Sequence, residues 1–228
     1  MNHRIADRFW IRVCAAAAVA ASLAFTDVTD AANATAVPGG VYAWPVPENS
    51  QNIRFQNRSV LVANSTALVG IPIKQPLGTA TLTFLQHGQQ RTHAFEVVDK
   101  RYTEQRITLK NQEMVTPNPE QLQRIRDEST RQRAIYARVS PSVDLSAGFT
   151  LPLRGRTTSL FGHRRFFNDQ PRNPHSGLDI AAPTGTPVTA PGPATVALVD
   201  DLYYNGKTVF LDHGQGLITM YCHLSAQT

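Results

Sequence analysis

His175 and Asp179 stand four positions apart in the run Pro174-His175-Ser176-Gly177-Leu178-Asp179. An imidazole nitrogen and a carboxylate oxygen are both good ligands for zinc, and they also suit other divalent ions. Spacing alone does not make a site. On a straight strand, four residues separate two Cα atoms by ~13 Å, too far for their side chains to share one ion. The chain must therefore bend between them, and Gly177 is the residue that permits it. A helix would also bring positions i and i+4 together, but Pro174 and Gly177 disfavour one.

A second group of chemically competent residues is Tyr221-Cys222-His223-Leu224-Ser225. If a strand carries them, Tyr221 and His223 share one face and Cys222 points to the other. Cys222 then reads as a packed structural cysteine rather than a partner of His223. His213 lies ten residues before His223. An extended chain of that length spans roughly 30 Å, so the two rings cannot share a ligand shell, and His213 reads as a turn or groove residue. His87 and His93 lie far upstream and read as surface or strand histidines.

These residues need a scaffold, and the chain offers three stretches of different character. Val60–Val62, Thr66–Ile73, Thr79–Leu85, His93–Val98 and Gln105–Leu109 are short and rich in β-branched residues, with turn signals at Asn64-Ser65, Pro76-Leu77-Gly78 and His87-Gly88 between them. Pro72 marks an edge or a strand end. Asn118 can cap a helix that has Pro119 at its first position and Glu120 in its first turn, running to Val139 before Ser140-Pro141. Leu122, Ile125, Ile135 and Val139 give that helix only a thin apolar stripe. This fits a solvated connector, with a helix leaning on the following domain as the sharper reading. Beyond Leu151 strands return at Thr186–Ala190 and Ala194–Val199. Thr208–Asp212 and Leu217–His223 then face each other across the turn His213-Gly214-Gln215-Gly216.

The fold class implied is mainly β, with a small N-terminal β-domain, a connecting helix and a partial antiparallel sheet after it. At 228 residues there is room for two small domains, and 42% hydrophobic with 17% charged content is ordinary for a globular chain. Arg4, Arg8 and Arg12 precede the apolar run Val13–Phe25 and then Ala32-Asn33-Ala34, the pattern of a secretory signal peptide over residues 1–34. About 13 apolar residues are too few to span a bilayer, so no membrane span is expected once the leader is removed. Its removal takes away three Arg and three Asp, leaving the net charge at +5. A basic, exported protein meets envelope polymers rather than nucleic acid. Only Cys222 remains in the mature chain, which excludes an internal disulfide.

Taken in order, Phe161-Gly162-His163-Arg164, His175-Ser176-Gly177-Leu178-Asp179-Ile180, Gly185-Thr186-Pro187-Val188, Leu211-Asp212-His213-Gly214 and Tyr221-Cys222-His223-Leu224-Ser225 resemble the lysostaphin-type (LytM-like) peptidoglycan zinc metallopeptidases over about residues 152–228. Ala67-Leu68-Val69-Gly70-Ile71-Pro72 is similar to the β-domain that precedes this core in exported Gram-negative members. The resemblance implies an N-terminal β-domain over 35–115, a helical linker over 116–150 and a peptidase core over 151–228. It implies that His175 and Asp179 ligate one Zn2+ and that His223 is catalytic beside the metal without ligating it. The family's third ligand comes from a later H-x-H, a motif not found in this sequence. An incomplete core and weak hydrolysis are therefore expected of the chain as it stands. The implied function is a zinc endopeptidase cutting peptide cross-links of peptidoglycan in the periplasm or outside the cell. The alternative is a non-catalytic peptidoglycan-binding or hydrolase-activating module.

Overall fold

The computed structural model describes residues 34–110 and 112–227, so the leader expected over residues 1–34 lies, apart from Ala34, outside the described residues. The chain is mainly β, with one α-helix among the described residues. Eight strands come first: β1 (Thr35–Ala36), β2 (Val41–Pro45), β3 (Ser50–Phe55), β4 (Arg58–Ser59), β5 (Leu61–Ala63), β6 (Thr66–Gly70), β7 (Gly78–Gln86) and β8 (Gln89–Val97). They form one sheet ordered β1-β8-β7-β3-β4 and another ordered β2-β6-β5. Three connections are two-residue turns whose residues all have positive φ, Gln56-Asn57 (48°, 62°), Asn64-Ser65 (48°, 55°) and His87-Gly88 (50°, 75°). Asn and Gly tolerate that conformation, and it matches the twist of the flanking strands. Alternation along each strand then sets one face inward. Ala80, Leu82 and Phe84 of β7 and His93, Phe95 and Val97 of β8 are buried against Tyr42, Trp44, Ala67 and Val69 of the other sheet.

The strand expected at Gln105–Leu109 forms as β9 (Glu104–Ile107), but it joins neither of these sheets. It pairs in parallel with β11 (Arg164–Phe167) and so enters the C-terminal half of the molecule. Tyr102, just before it, bridges the two halves. Its hydroxyl donates to the Pro38 carbonyl at 2.8 Å, and its ring meets Phe161 edge-on at 6.2 Å. A Cβ at Gly162, where φ is +87°, would collide with the Tyr102 ring, so this glycine is required on both counts.

Helix α1 (Pro119–Tyr136) starts where the sequence predicts and stops three residues sooner. Its N-terminus is a capping box: Asn118 Oδ1 accepts from Gln121 N at 2.9 Å, and Gln121 Oε1 accepts from Asn118 N at 2.8 Å. Most of the helix surface is exposed, yet the helix leans on the C-terminal sheet, as the sharper of the two readings has it. Ile135 packs on Leu202 and Phe210, and polar contacts do what the thin apolar stripe cannot. The buried Glu128 pairs with Arg124 at 2.6 Å and accepts from Tyr203 N at 2.9 Å. Arg131 pairs with Asp200 at 2.7 Å.

The C-terminal half adds β10 (Arg156–Ser159), then β12 (Gln170–Pro171) beside β11, β13 (Asp179–Ala181), β14 (Thr195–Leu202), β15 (Gly206–Asp212) and β16 (Ile218–Tyr221). β14, β15 and β16 make an antiparallel sheet, and β10 pairs with β13. No strand forms over Thr186–Ala190. Pro183, Pro187 and Pro191 cannot donate to a ladder, and the segment is held instead by bonds such as Thr189 N to the Pro152 carbonyl at 2.9 Å. The last strand ends at Tyr221 rather than His223, and His223 has φ +56°. Strand alternation therefore does not decide how Cys222 and His223 face. Among the described residues no helix is long and apolar enough to cross a membrane.

Candidate metal centre

Asp179 opens β13, and His175 precedes it across a loop that bends at Gly177. The bend is where the sequence places it, but Gly177 is not among the residues with positive φ, so glycine's special backbone freedom is not what makes it. Backbone contacts fix His175 instead. Its N donates to the His163 carbonyl at 2.9 Å, and its carbonyl accepts from Gly162 N at 2.7 Å.

The imidazole is itself oriented. Nδ1 lies 2.9 Å from the Leu160 carbonyl, which can only accept, so Nδ1 carries the proton. Nε2 then faces Asp179 Oδ1 at 3.0 Å. The His175 side chain is 8% exposed and that of Asp179 is 48% exposed, so a buried nitrogen meets an oxygen open to solvent. The contact can be made through a proton on Nε2, or by a cation that takes the nitrogen lone pair and the oxygen together. Two ligands of a tetrahedral zinc, with bonds of about 2.1 Å, stand about 3.4 Å apart. The pair thus fits two positions of such a shell after opening by a few tenths of an ångström. Among the described residues no group of three or more His, Cys, Asp or Glu side chains comes close enough to hold one ion.

Other polar groups surround the pair. β10 carries a bulge between Thr157 and Ser159, which brings Ser159 opposite Asp179. Ser159 is buried, and its Oγ lies 3.1 Å from His175 Nδ1 and 3.3 Å from His163 Nδ1. Arg165 Nη2 donates to Asp179 Oδ2 at 3.0 Å and to Ser159 Oγ at 3.3 Å, while its Nε donates to Gln105 Oε1 at 3.0 Å. Sequence reasoning singled out none of Gln105, Ser159 and Arg165. Gln105 and Arg165 meet only because β9 and β11 pair across 60 residues.

His223 is exposed at the end of β16; its N donates to the Asn205 carbonyl at 2.8 Å and its ring lies beside Gly206. Cys222 is half-buried and accepts from Asn205 Nδ2 at 3.4 Å. Burial chiefly raises its thiol pKa, hydrogen bonds from Asn205 and Thr208 oppose the rise, and the charge of Asp179 adds to it. His213 sits in the turn after β15 but is fully buried: Nδ1 donates to the Pro193 carbonyl at 2.8 Å, and Nε2 meets Thr219 Oγ1 at 2.8 Å. Both nitrogens are occupied, so it is a structural rather than a groove residue. His93 is likewise buried, its Nε2 2.8 Å from the Tyr42 hydroxyl, whereas His87 is an exposed turn residue.

Residues 173–228 match the model of peptidase family M23, and residues 34–100 match that of the M23 N-terminal domain. Over 71 residues the chain is 39% identical to the peptidoglycan DD-endopeptidase ShyA of Vibrio cholerae and 37% identical to the DD-carboxypeptidase/endopeptidase Mpg of Neisseria meningitidis. Each alignment covers 31% of this chain but only 16% of the relative. A crystal structure from Pseudomonas aeruginosa, described as a peptidase M23, superposes with a TM-score of 0.65 at 34% identity, covering 83% of this chain and 74% of that one. The matched segments hold both the N-terminal sheets and the His175–Asp179 pair, and this chain belongs to peptidase family M23.

Proposed function

We propose that the protein is a zinc-dependent endopeptidase that hydrolyses peptide cross-links of peptidoglycan, with His175 and Asp179 as metal ligands. The observation that carries this reading is the 3.0 Å approach of His175 Nε2 to Asp179 Oδ1, with Nδ1 tied to a backbone carbonyl. Metal-ligating histidines characteristically donate their other ring N–H in this way, which fixes the tautomer and aims the free nitrogen. A zinc ion held there would supply a Lewis acid that polarises a carbonyl and makes water acidic near neutral pH. By the family resemblance, His223 would take a proton from the attacking water and return it to the departing amine, or donate to the oxyanion.

For the domains we propose a leader over 1–34, a β-domain over 35–115 whose last strand, β9, pairs into the C-terminal half, a helical linker over 116–150 and the peptidase core over 151–228. Export by the leader places the protein in the periplasm or outside the cell, where its substrate is. The names of the relatives, two of them peptidoglycan or DD-endopeptidases, support the substrate class.

The test is cleavage of cross-linked muropeptides by the full-length protein as its gene encodes it. Cross-linked dimers should fall to monomers, and a chelator or either of His175→Ala and Asp179→Ala should abolish this. Cleavage that survives both the chelator and His175→Ala would overturn the assignment. Tight binding to peptidoglycan without cleavage would favour the non-catalytic module instead.

A further inference from the structure

We infer that Gln105 and Arg165 form a positioning relay that sets the Asp179 carboxylate for metal binding, so that strand β9 supplies part of the site. The inference rests on the metal role proposed above for His175 and Asp179.

Gln105 lies on β9, outside the segments matched to the two M23 models, 34–100 and 173–228. Parallel pairing sets Arg165 of β11 directly opposite it. Gln105 Oε1 accepts twice, from Arg165 Nε at 3.0 Å and from Ser159 Oγ at 3.3 Å. The guanidinium is thereby held by its inner nitrogen, and its outer nitrogen Nη2 is directed to Asp179 Oδ2 at 3.0 Å. Arg165 has a side chain only 21% exposed, so most of its conformations are already excluded.

The consequence for Asp179 is geometric. With Oδ2 taken by Arg165, Oδ1 is the oxygen turned to His175 Nε2. Nearly half of the Asp179 side chain is exposed, and packing alone does not prevent the carboxylate from turning. The guanidinium stops it, because its planar fork serves three acceptors in fixed directions, which a lysine ammonium cannot reproduce. Ser159 closes the network. It accepts from Arg165 and stands against His175 Nδ1, so both candidate ligands rest on one set of hydrogen bonds. Neither Gln105 nor Arg165 touches the reacting atoms; each acts through Asp179.

The experiment is Zn2+ affinity of the full chain, measured by competition with a chromogenic chelator, with the thermal unfolding midpoint recorded for every variant. Gln105→Leu keeps the size and removes the acceptor. Arg165→Lys keeps the charge and removes the fork. Each should weaken Zn2+ binding about 10-fold or more, the scale on which outer partners of metal ligands act. Gln105→Glu retains an oxygen for both donors and should stay within about 3-fold of the parent, with all midpoints near the parent value. Unchanged affinity in Gln105→Leu and Arg165→Lys, with the parent binding saturably, would overturn the relay alone. Equal loss in Gln105→Leu and Gln105→Glu together with lowered midpoints would overturn it too, by showing Gln105 to be merely structural. A parent chain that shows no saturable Zn2+ binding would bring down the metal reading itself, and the relay with it.

Discussion

The two halves of this molecule are held together by different means. In the N-terminal sheets a continuous apolar cluster from Ala36 to Val97 fills the space between two sheets, with Leu82 and Ala67 fully buried. A concavity of about 600 Å3, lined by residues including Tyr42, Trp44, Phe84 and His93, opens on that side and shares no residue with the His175–Asp179 pair. In the C-terminal half the buried cluster is smaller: Ile135, Leu202 and Phe210 with a few partly buried neighbours. Position there is set by polar contacts instead, such as Glu128 under helix α1 and Gln105, Ser159 and Arg165 around Asp179. Burial of apolar area is forgiving of small shifts in direction; hydrogen bonds are not. The half that must aim chemical groups is the half built on the directional interactions.

Substitutions should separate the two regimes. The largest effect belongs to the apolar half: Leu82→Ala should lower unfolding free energy in urea by about 2–5 kcal/mol while leaving Zn2+ affinity unchanged. A large loss of affinity would show that the halves are not separable. Next comes the polar clamp. Glu128→Gln leaves Arg124 with a weakened partner and should cost about 1–3 kcal/mol by the same measurement. A cost below about 0.5 kcal/mol would mean that Ile135 alone seats the helix. Asn118→Ala removes the capping box and should cost about 1 kcal/mol, seen as a lower melting temperature.

The smallest effect is a pH dependence. Burial holds the pKa of His93 below its ordinary value of 6.5, so the unfolded chain takes up the proton first as pH falls. Stability from the neutral, stacked ring is complete above pH 6.5 and is lost progressively as pH drops from there towards the lower folded-state pKa. The urea midpoint should decline over that window, and the part due to this ring should vanish in His93→Gln.

Legibility in the sequence divides along the same line. The strands from Leu61 to Val97 and their turns could be read because alternation is local and because Asn64-Ser65 and His87-Gly88 announce tight turns, whereas β1 to β4 were not singled out. The helix start could be read because its signal is local: Asn118 as cap, Pro119 at the first position and Glu120 in the first turn. The His175–Asp179 pair was visible as an ordered motif. Its supporting residues were not, since Gln105 and Arg165 meet only through a parallel pairing of distant strands, and Ser159 reaches the site through a bulge. The thin apolar stripe left a solvated connector and a helix leaning on the next domain both open, and charged contacts invisible to that pattern, such as Arg131 to Asp200 on β14, are what fasten it. Prolines at 183, 187 and 191 outweighed the β-branched residues between them.

The most direct test of the account is anomalous diffraction at the zinc edge from crystals of the protein grown with Zn2+. A single peak about 2.0–2.2 Å from both His175 Nε2 and Asp179 Oδ1, with Arg165 still on Oδ2, is the result expected. Zinc bound elsewhere while His175 and Asp179 remain in direct contact would contradict it.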